Sequence, residues 1–416
     1  MATLSPILKQ ATPVVVDHAA GSWIYATDGK KYLDFTTGIG VTSTGHCHPD
    51  VVAAAREQVG KIVHAQYTTV MHRPLLELTE RLGDFLPAGL DSVFYATSGS
   101  EAVEASVRLA RMATGRPNII SFQGGFHGRT VGAASLTTAG TRFRSGFSPL
   151  MGGVHIAPFP HAYRYGWDEE TAVAFALKEL DQLLVSISSP SDTAGFIIEP
   201  VLGDGGYIPT PIAFLQGLRE RADRHGIVLI LDEVQAGVGR TGKFWGHDWA
   251  GIRPDIVITA KGLASGFPIS AIAAPADLMG KAWPGSQGGT YGGNAVAAAA
   301  GVATLAVIER ENLVANAAAR GDELRAGLEQ LKSDFAGIGD VRGRGLMQSL
   351  EFTTADGNPD AAAALGVQQA AVKEELLLLT CGPNGNVIRI IPALNVTSDE
   401  IQSGLSKLTQ ALKAAS

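Results

Sequence analysis

The stretch that decides the fold class is Asp255-Ile256-Val257-Ile258-Thr259-Ala260-Lys261-Gly262. Its short run of apolar and β-branched residues predicts a buried strand, and the lysine stands two residues beyond that strand. About 29 positions upstream, a second apolar run, Ile227-Val228-Leu229-Ile230-Leu231, ends in Asp232-Glu233. The pattern therefore places Lys261 and Asp232 at the carboxyl ends of two buried strands, where open α/β sheets bind ligands.

A lysine and an aspartate in these positions are the two groups that pyridoxal 5'-phosphate (PLP) chemistry requires. The lysine forms a Schiff base with the cofactor aldehyde, and the aspartate keeps the pyridine nitrogen protonated so that the ring accepts electrons. Most lysines are solvated surface cations, and aspartates often cap helices. Here the apolar strand before Lys261 and the Gly262-Leu263-Ala264-Ser265-Gly266 stretch after it favour a cleft.

Strand and helix patterns alternate through the middle of the chain. Strands are predicted at residues 92–95, 118–122, 195–198, 227–231 and 256–259, and helices at residues 100–112, 171–186 and 212–225. This alternation predicts an α/β fold whose large domain, residues 60–305, contains a mainly parallel sheet.

The two ends of the chain have a different texture. Residues 1–59 contain a predicted hairpin around Asp28-Gly29, followed by a predicted helix at residues 51–64. Residues 306–416 open on a charged stretch, 309–331, that predicts one long helix. We expect these two segments to form a smaller α+β domain together.

Composition limits the function classes. With 416 residues, 45% hydrophobic and 18% charged, the chain is long enough for more than one domain and is not disordered. A net charge of −7 and the absence of a Lys/Arg block argue against a nucleic-acid surface. Residues 1–10 lack a signal-peptide core, and residues 282–308, broken by Pro284 and glycines, predict a buried Ala-rich helix at 294–308 instead of a membrane span. Two distant cysteines, Cys47 and Cys381, fit a reducing cytoplasm.

One glycine-rich stretch imitates a nucleotide site. Residues Gly237-Val238-Gly239-Arg240-Thr241-Gly242-Lys243 match G-x-G-x-x-G and the first part of a Walker A pattern. Position 244 is Phe, so the hydroxyl that would hold magnesium is missing, and no helix is predicted to open from the stretch. Nucleotide binding is therefore rejected here, and no metal site is predicted.

Seven motifs follow one another along almost the whole chain: Thr44-Gly45-His46-Cys47-His48-Pro49, Ser98-Gly99-Ser100-Glu101-Ala102, Phe126-His127-Gly128-Arg129-Thr130, Glu199-Pro200-Val201, Asp232-Glu233-Val234-Gln235-Ala236-Gly237-Val238-Gly239-Arg240-Thr241-Gly242, Ala260-Lys261-Gly262 and Gly289-Thr290-Tyr291-Gly292-Gly293-Asn294. In content and order they resemble the class III (ω-aminotransferase-like) PLP enzymes of fold type I. Within that class the chain resembles the 4-aminobutyrate aminotransferases most closely.

The resemblance implies a set of cofactor contacts. Lys261 would be the Schiff-base lysine and the base for proton transfer, and Asp232 would pair with the pyridinium nitrogen. Gln235 would bond near the phenolic oxygen. Phe126 and Val234 would pack on opposite faces of the ring, and the helix N-terminus at Ser98-Gly99-Ser100 would bind the phosphate. His127 would be a further cofactor-binding residue, without an assigned role. Thr290 would complete the phosphate site from a neighbouring subunit, so the resemblance also implies a homodimer with shared active sites.

The resemblance also implies substrate contacts. Arg389 would bind the α-carboxylate of 2-oxoglutarate or glutamate through paired hydrogen bonds. Arg129 would either take the distal carboxylate or have a structural role, and Glu199 completes the set. The family typically has Gln-Gly-Glu-Gly after Glu199-Pro200-Val201, whereas this chain has Leu202-Gly203-Asp204-Gly205. Asp204 is one methylene shorter than the family glutamate, which leaves its reach to Arg389, directly or through water, open.

The sequence thus predicts a ping-pong aminotransferase that moves an amino group from a 4-aminobutyrate-like ω-amino acid to a 2-keto acid. The predicted acceptor is 2-oxoglutarate, and pyruvate is the alternative. Acetylornithine, ornithine, diamines and β-amino acids are alternative donors. Racemases, decarboxylases and phospholyases also occur on this scaffold, because the reaction depends on which substrate bond stands perpendicular to the ring. A catalytically silent binding protein is the remaining alternative, and the presence of both Lys261 and Asp232 argues against it.

Overall fold

A computed structural model describes residues 2–415 of the chain. Its strands, in chain order, are β1 Val16–Ala20, β2 Trp23–Ala26, β3 Lys31–Asp34, β4 Ser92–Ala96, β5 Asn118–Phe122, β6 Val154–Ala157, β7 Thr193–Ile198, β8 Val201–Leu202, β9 Ile208–Pro209, β10 Val228–Asp232, β11 Ile256–Thr259, β12 Ser270–Ala274, β13 Ile338–Arg344, β14 Met347–Phe352, β15 Leu376–Leu377, β16 Leu379–Cys381 and β17 Val387–Ile390.

The α-helices lie between and around these strands. In chain order they are α1 Thr37–Gly40, α2 Pro49–Val59, α3 Arg73–Gly83, α4 Gly99–Thr114, α5 Val131–Leu136, α6 Ala162–Tyr165, α7 Glu169–Ser186, α8 Ile212–His225, α9 Ala276–Met279, α10 Ala295–Arg310, α11 Leu313–Asp334, α12 Ala361–Lys373 and α13 Ser398–Ala415.

The central sheet has seven strands in the order β4-β12-β11-β10-β7-β5-β6. Strand β12 runs antiparallel to both of its neighbours, and the remaining pairs are parallel. Because consecutive side chains on a strand point to opposite faces, Leu229 and Leu231 pack toward α7 and α8, whereas Val228 and Ile230 pack toward α4. Burial on both faces explains why these strands read as continuous apolar runs in the sequence.

Two smaller sheets combine segments that are distant in the chain. One has the order β1-β2-β3-β15, in which Leu33 of β3 pairs in parallel with Leu376 of β15. The other has the order β13-β14-β17-β16 and is antiparallel throughout. Helices α11 and α12 pack on this second sheet, and α13 packs on both helices. The C-terminal strand β17 thereby lies beside the turn that follows β8, because Asp204 on that turn contacts Arg389 on β17.

The predicted α/β class with a mainly parallel sheet is confirmed, but several elements differ from the sequence prediction. Strands β6 and β12 were missed, since β6 is half-buried at the sheet edge and β12 consists mainly of alanine, a weak strand former. The single helix predicted for residues 309–331 is wrong. Helix α10 ends at Arg310 and α11 begins at Leu313, because Asn312 between them adopts a left-handed conformation (φ 51°). The helix predicted for residues 51–64 ends early, at Val59.

Among residues 2–415, the structure contains no helix that is both long enough and apolar enough to cross a membrane. The uncharged stretch at 294–308 instead forms α10, whose first turn is capped by the Asn294 side chain. The glycine-rich segment 237–243 forms a buried turn and not the start of a helix. A Cβ on its Gly242 would lie 3.1 Å from Ala318 of α11, so the turn packs against another part of the protein.

Candidate active site

A cavity of about 380 Å³ opens at the carboxyl ends of the central strands. Most of the residues that the sequence singled out line it, and they lie at the ends of five different strands. They are Ser98, Gly99 and Ser100 after β4, Phe126 and His127 after β5, Glu199 after β7, Asp232, Val234 and Gln235 at the end of β10, and Lys261 after β11. The strand ends therefore bring together residues that are up to about 160 positions apart.

Lys261 begins a single 3-10 turn directly after β11. Its backbone adopts a left-handed conformation (φ 41°), which is uncommon for a residue with a Cβ and is typical of functional sites. Burial lowers the pKa of its ammonium group from the usual 10.5 and is the largest influence on it. The charge of Arg389 also lowers this pKa, whereas Asp204, Asp232 and Glu199 raise it. A larger share of Lys261 is therefore present as the neutral amine, the nucleophilic form.

Asp232 ends β10, on the strand next to the one that leads to Lys261. One oxygen of its carboxylate accepts the backbone N–H of Val234, and the other lies 2.8 Å from His127 Nδ1. The His127 side chain is 1% exposed, so its ring is held rigidly against the carboxylate. The sequence motif placed His127 at the site without a role, and the structure shows that it orients Asp232.

The N-terminus of α4 forms one end of the cavity. The Ser98 hydroxyl accepts the Glu101 N–H, and the Glu101 carboxylate accepts the N–H groups of Thr97 and Ser98. Within residues 2–415, the N–H groups of Gly99 and Ser100 have no acceptor. Free N–H groups at a helix N-terminus, where the helix dipole is positive, fit a phosphate.

The walls of the cavity are apolar on two sides. The Phe126 ring lines one side and packs edge-on against the buried Phe143 ring, with centroids 5.0 Å apart. Val234 lines another, and a Cβ on Gly99 would lie 3.1 Å from its methyl group. The cavity therefore has a suitable group for each part of PLP. The lysine suits the aldehyde, the Asp232 carboxylate the ring nitrogen, the free N–H groups the phosphate, and the apolar walls the two faces of the ring.

Glu199 is buried at the back of the cavity. Its carboxylate accepts the N–H of Phe126 at 2.8 Å and the N–H of Gly203 at 2.9 Å, so it ties the loop after β5 to the turn after β8. Burial, followed by the charge of Asp232, raises the pKa of Glu199 well above its usual 4.5. This carboxyl group therefore holds a proton at pH values where an exposed glutamate is ionised.

Asp204 and Arg389 lie beyond the lining residues, but their charges act on Lys261. The Asp204 carboxylate accepts a hydrogen bond from Arg389 Nη1 at 3.3 Å, so the shorter aspartate reaches the arginine directly. Their side chains are 16% and 7% exposed, and no partner is found within residues 2–415 for Arg389 Nε. This ion pair thus retains a donor that a ligand carboxylate could use.

Besides Asp204 and Arg389, two further sequence-predicted residues do not line the cavity, Arg129 and Thr290. Arg129 is exposed, and its guanidinium stacks on the Phe143 ring with its central carbon 4.8 Å from the ring centroid. Thr290 is exposed on the loop before α10. Conversely, sequence reasoning missed Val41, Thr97 and residues 267–269, which do line the cavity, and Tyr207, which contacts Gln235 from behind. None of these carried a recognisable signal, because they lie outside the motifs that were matched.

Within residues 2–415, no group of three or more His, Cys, Asp or Glu side chains is arranged to hold a metal ion. Both Cys47, which is exposed, and Cys381, which is buried, have free thiols. Burial raises the pKa of the Cys381 thiol to about 12, so it stays protonated at neutral pH.

Comparison with known proteins places the site in a family. The family model for class III aminotransferases matches residues 6–412. The chain is 39% identical over 399 residues to a 5-aminovalerate aminotransferase of Pseudomonas putida, covering 95% of this chain and 93% of the relative. It is 38% identical over 409 residues to a 4-aminobutyrate aminotransferase of Escherichia coli, covering 98% and 95% of the two chains.

An acetylornithine aminotransferase of Corynebacterium efficiens is also 39% identical, over 407 residues, covering 96% of this chain and 92% of the relative. Among solved structures, a PLP-bound amine transaminase from an uncultivated Pseudomonas species superimposes with a TM-score of 0.92 at 30% identity, covering 100% of this chain and 99% of the other. The resemblance seen in the sequence is confirmed: this chain belongs to the class III aminotransferases, PLP-dependent enzymes of fold type I.

Proposed function

We propose that this chain binds PLP in the cavity and transfers the amino group of an ω-amino acid, such as 4-aminobutyrate or 5-aminovalerate, to 2-oxoglutarate. The observation that carries the substrate assignment is the ion pair between Arg389 and Asp204. An enzyme that alternates between these two substrates must accept a donor without an α-carboxylate and then an acceptor with one. An arginine with a displaceable acidic partner suits both substrates. The aspartate pairs with the arginine while the donor is bound, and it turns away when the α-carboxylate of the acceptor binds the arginine.

The cofactor would be held by the groups already described. Lys261 would bind its aldehyde, Asp232 its ring nitrogen, and the N–H groups of Gly99 and Ser100 its phosphate, with Phe126 and Val234 on the two ring faces. When bound, PLP supplies an electron sink that stabilises negative charge on the substrate carbon next to nitrogen. The protein supplies the remaining parts: the amine, the proton acceptor and the carboxylate site.

Lys261 Nζ is the group that would remove the substrate proton and return it. Its lowered pKa favours the neutral amine that this role requires, and its position on a rigid turn after a buried strand limits its movement. Asp232 would pair with the ring nitrogen, and the His127 side chain would hold the carboxylate in place. Arg389 would bind the acceptor's α-carboxylate once Asp204 turns away.

We also propose that the protein is a homodimer that works in the cytoplasm. Thr290 is exposed and outside the cavity of its own subunit, which supports a homodimer in which each Thr290 reaches the phosphate site of the other subunit. The exposed and buried free thiols are compatible with the cytoplasm, where we propose that the protein works.

A second candidate donor is N-acetylornithine. The guanidinium of Arg129, which would hold the distal carboxylate of a 4-aminobutyrate-like donor, stacks on Phe143 instead of lining the cavity. N-acetylornithine is larger at its distal end, where an acetamido group stands beside the carboxylate, and a site without a fixed distal cation would tolerate that group. The acetylornithine aminotransferase among the relatives supports testing this donor alongside the others.

The test is a half-reaction. Purified protein carrying PLP is mixed, without a keto acid, with 4-aminobutyrate, 5-aminovalerate, N-acetylornithine or alanine, and the visible spectrum is followed in a stopped-flow instrument. We expect the two ω-amino acids to convert the cofactor to its amine form at least about tenfold faster than alanine. Adding 2-oxoglutarate should then restore the starting spectrum, and pyruvate should do so more slowly.

Conversion by none of the ω-amino acids would refute the proposal. Conversion by N-acetylornithine alone would assign the second candidate. Alanine racemisation without any change to the amine form would replace transamination with another reaction of the same cofactor.

A further inference from the structure

Tyr207 is a buried residue directly behind the cavity that no motif singled out. It lies on the turn between β8 and β9, is 0% exposed, and donates its N–H to the Gly203 carbonyl at 3.2 Å. Its backbone is left-handed, with φ at 53°. A residue with a Cβ keeps this conformation only where its surroundings fix it, and such residues cluster at functional sites.

The phenol of Tyr207 makes one hydrogen bond. Its O–H donates to Gln235 Oε1 at 2.7 Å, and within residues 2–415 it has no other acceptor. If the Gln235 amide were turned over, its Nε2 would donate to the Tyr207 oxygen and the buried phenol proton would have no acceptor. Leaving a buried donor unsatisfied is unfavourable, so Tyr207 fixes which end of the amide faces it.

Burial keeps this donor in one protonation state. It raises the pKa of the Tyr207 phenol above its usual value, so the O–H is present throughout the pH range in which proteins are stable. The orientation of the Gln235 amide therefore does not change with pH.

The Gln235 side chain is also confined from other directions. A Cβ on Gly203 would lie 2.7 Å from Gln235 Nε2, so the turn lies close against the amide. On the other side, a Cβ on Gly40 would lie 3.6 Å from Gln235 Cγ. With Oε1 held by Tyr207, the Nε2 group is the end left to donate, and Gln235 lines the cavity. The Nε2 group of Gln235 has no hydrogen-bond acceptor among residues 2–415.

We propose that Tyr207 is a positioning residue: it holds Gln235 Oε1 so that Nε2 donates to the phenolic ring oxygen of PLP, and it thereby sets the acidity of the linkage between Lys261 and the cofactor. The proposal rests on the assignment of PLP to this cavity and does not depend on the amino donor. While the nitrogen of the linkage between Lys261 and PLP is protonated, its proton is shared with the anionic ring oxygen. Once that proton is lost, the oxygen depends on other donors, so an N–H donor stabilises the deprotonated state more than the protonated one. A correctly oriented Gln235 therefore favours loss of that proton and lowers the pH at which it occurs.

The experiment is a pH titration of the visible spectrum of the PLP-bound protein, with no donor or acceptor present. In Tyr207→Phe, the amide is free to turn over, and we expect the midpoint to rise by about 0.5 to 1 pH unit. The dissociation constant of PLP should rise about threefold to tenfold, measured by titrating apoprotein with cofactor. Thermal unfolding confirms that the variant is folded.

Tyr95→Phe is the matched control. Tyr95 is 3% exposed, its oxygen accepts a hydrogen bond from the Thr79 hydroxyl at 3.1 Å, and it does not line the cavity. The Tyr95→Phe variant loses a comparable buried contact, but one that lies away from the cavity. Its titration midpoint and its PLP affinity should therefore equal those of the wild-type protein.

A double-mutant cycle separates positioning from a general structural effect. Gln235→Leu removes the donor itself and should shift the midpoint at least as far as Tyr207→Phe. Adding Tyr207→Phe to that background should shift it no further, because Tyr207 acts through Gln235. An unchanged midpoint in Tyr207→Phe, or an equal additional shift in the Gln235→Leu background, would overturn the proposal. A wild-type protein that takes up PLP without a visible band would overturn the cofactor assignment, and this proposal with it.

Discussion

Replacing Asp204 with asparagine should affect the two half-reactions in opposite directions. The substitution keeps the shape of the side chain and removes its charge. In the wild-type protein, Asp204 neutralises Arg389 at 3.3 Å, and both side chains are mostly buried. A donor without an α-carboxylate gives that arginine no partner, so in the variant Arg389 would be an unpaired and largely buried cation.

The size of the effect follows from the geometry. Two unit charges 3.3 Å apart attract by about 5 kcal/mol at an effective dielectric constant of 20. Most of this is offset by the desolvation of both groups, which leaves about 1 to 2 kcal/mol of net coupling. The donor half-reaction should therefore lose about fivefold to thirtyfold in kcat/KM. The acceptor half-reaction should gain up to about tenfold, because its carboxylate no longer competes with Asp204 for Arg389.

Stopped-flow single turnovers measure both numbers, one with 4-aminobutyrate and one with 2-oxoglutarate after the cofactor has been converted. Asp181→Asn is the control, since Asp181 pairs with Arg221 between α7 and α8, away from the cavity, and neither half-reaction should change. If Asp204→Asn slows both half-reactions equally, the ion pair is structural, and its role in alternating between substrates is refuted.

Three further outcomes are expected. Lys261→Ala should reduce turnover by more than about a thousandfold while leaving the melting temperature of the apoprotein unchanged or higher, because a buried amine is removed; residual turnover near the wild-type rate would refute its role. The pKa of Glu199 is raised in the folded state, so above pH 4.5 the folded protein holds a proton that the unfolded chain has lost. The free energy of unfolding therefore falls as the pH rises from 4.5 toward the raised pKa. Glu199→Gln should remove a slope of up to about 1.4 kcal/mol per pH unit, and thermal unfolding at several pH values would show an unchanged slope if this is wrong. Gly345→Ala would place a Cβ 2.4 Å from the Thr241 backbone, whereas Gly357→Ala meets nothing within 4 Å at a similarly positive φ. Urea unfolding should show the first variant at least about 2 kcal/mol less stable than the second, and equal losses would contradict the packing argument.

The position of Lys261 relative to Asp232 could be predicted from the sequence because parallel strands impose it. Two buried strands with charged residues at their carboxyl ends place those residues at one edge of a sheet, whatever the intervening loops do. Glu199 and the Ser98-Gly99-Ser100 segment likewise lie close behind predicted strands, at residues 195–198 and 92–95, and they line the same cavity. These predictions needed only the strand pattern and the direction of the strands.

Contacts that depend on how separate segments pack could not be predicted in the same way. The hydrogen bond between His127 and Asp232 depends on a side-chain orientation set by the loop after β5. The direct contact between Asp204 and Arg389 depends on how closely β17 approaches the turn after β8, which no local pattern encodes. The side chain of Arg129 follows the matched motif in sequence but turns toward Phe143, since rotamers respond to local neighbours.

The β3–β15 pair has a consequence for biosynthesis. Leu33 and Phe35 are almost completely buried in the finished protein, but the strand that pairs with Leu33 begins at Leu376, more than three hundred residues later in the chain. At typical rates of translation the ribosome needs about 20 to 70 s to reach that strand. The apolar side chains of Leu33 and Phe35 therefore lack this partner strand until synthesis of the chain is almost complete. A nascent chain stalled before Leu376 would keep these residues accessible to chaperones and proteases even after the central sheet has formed.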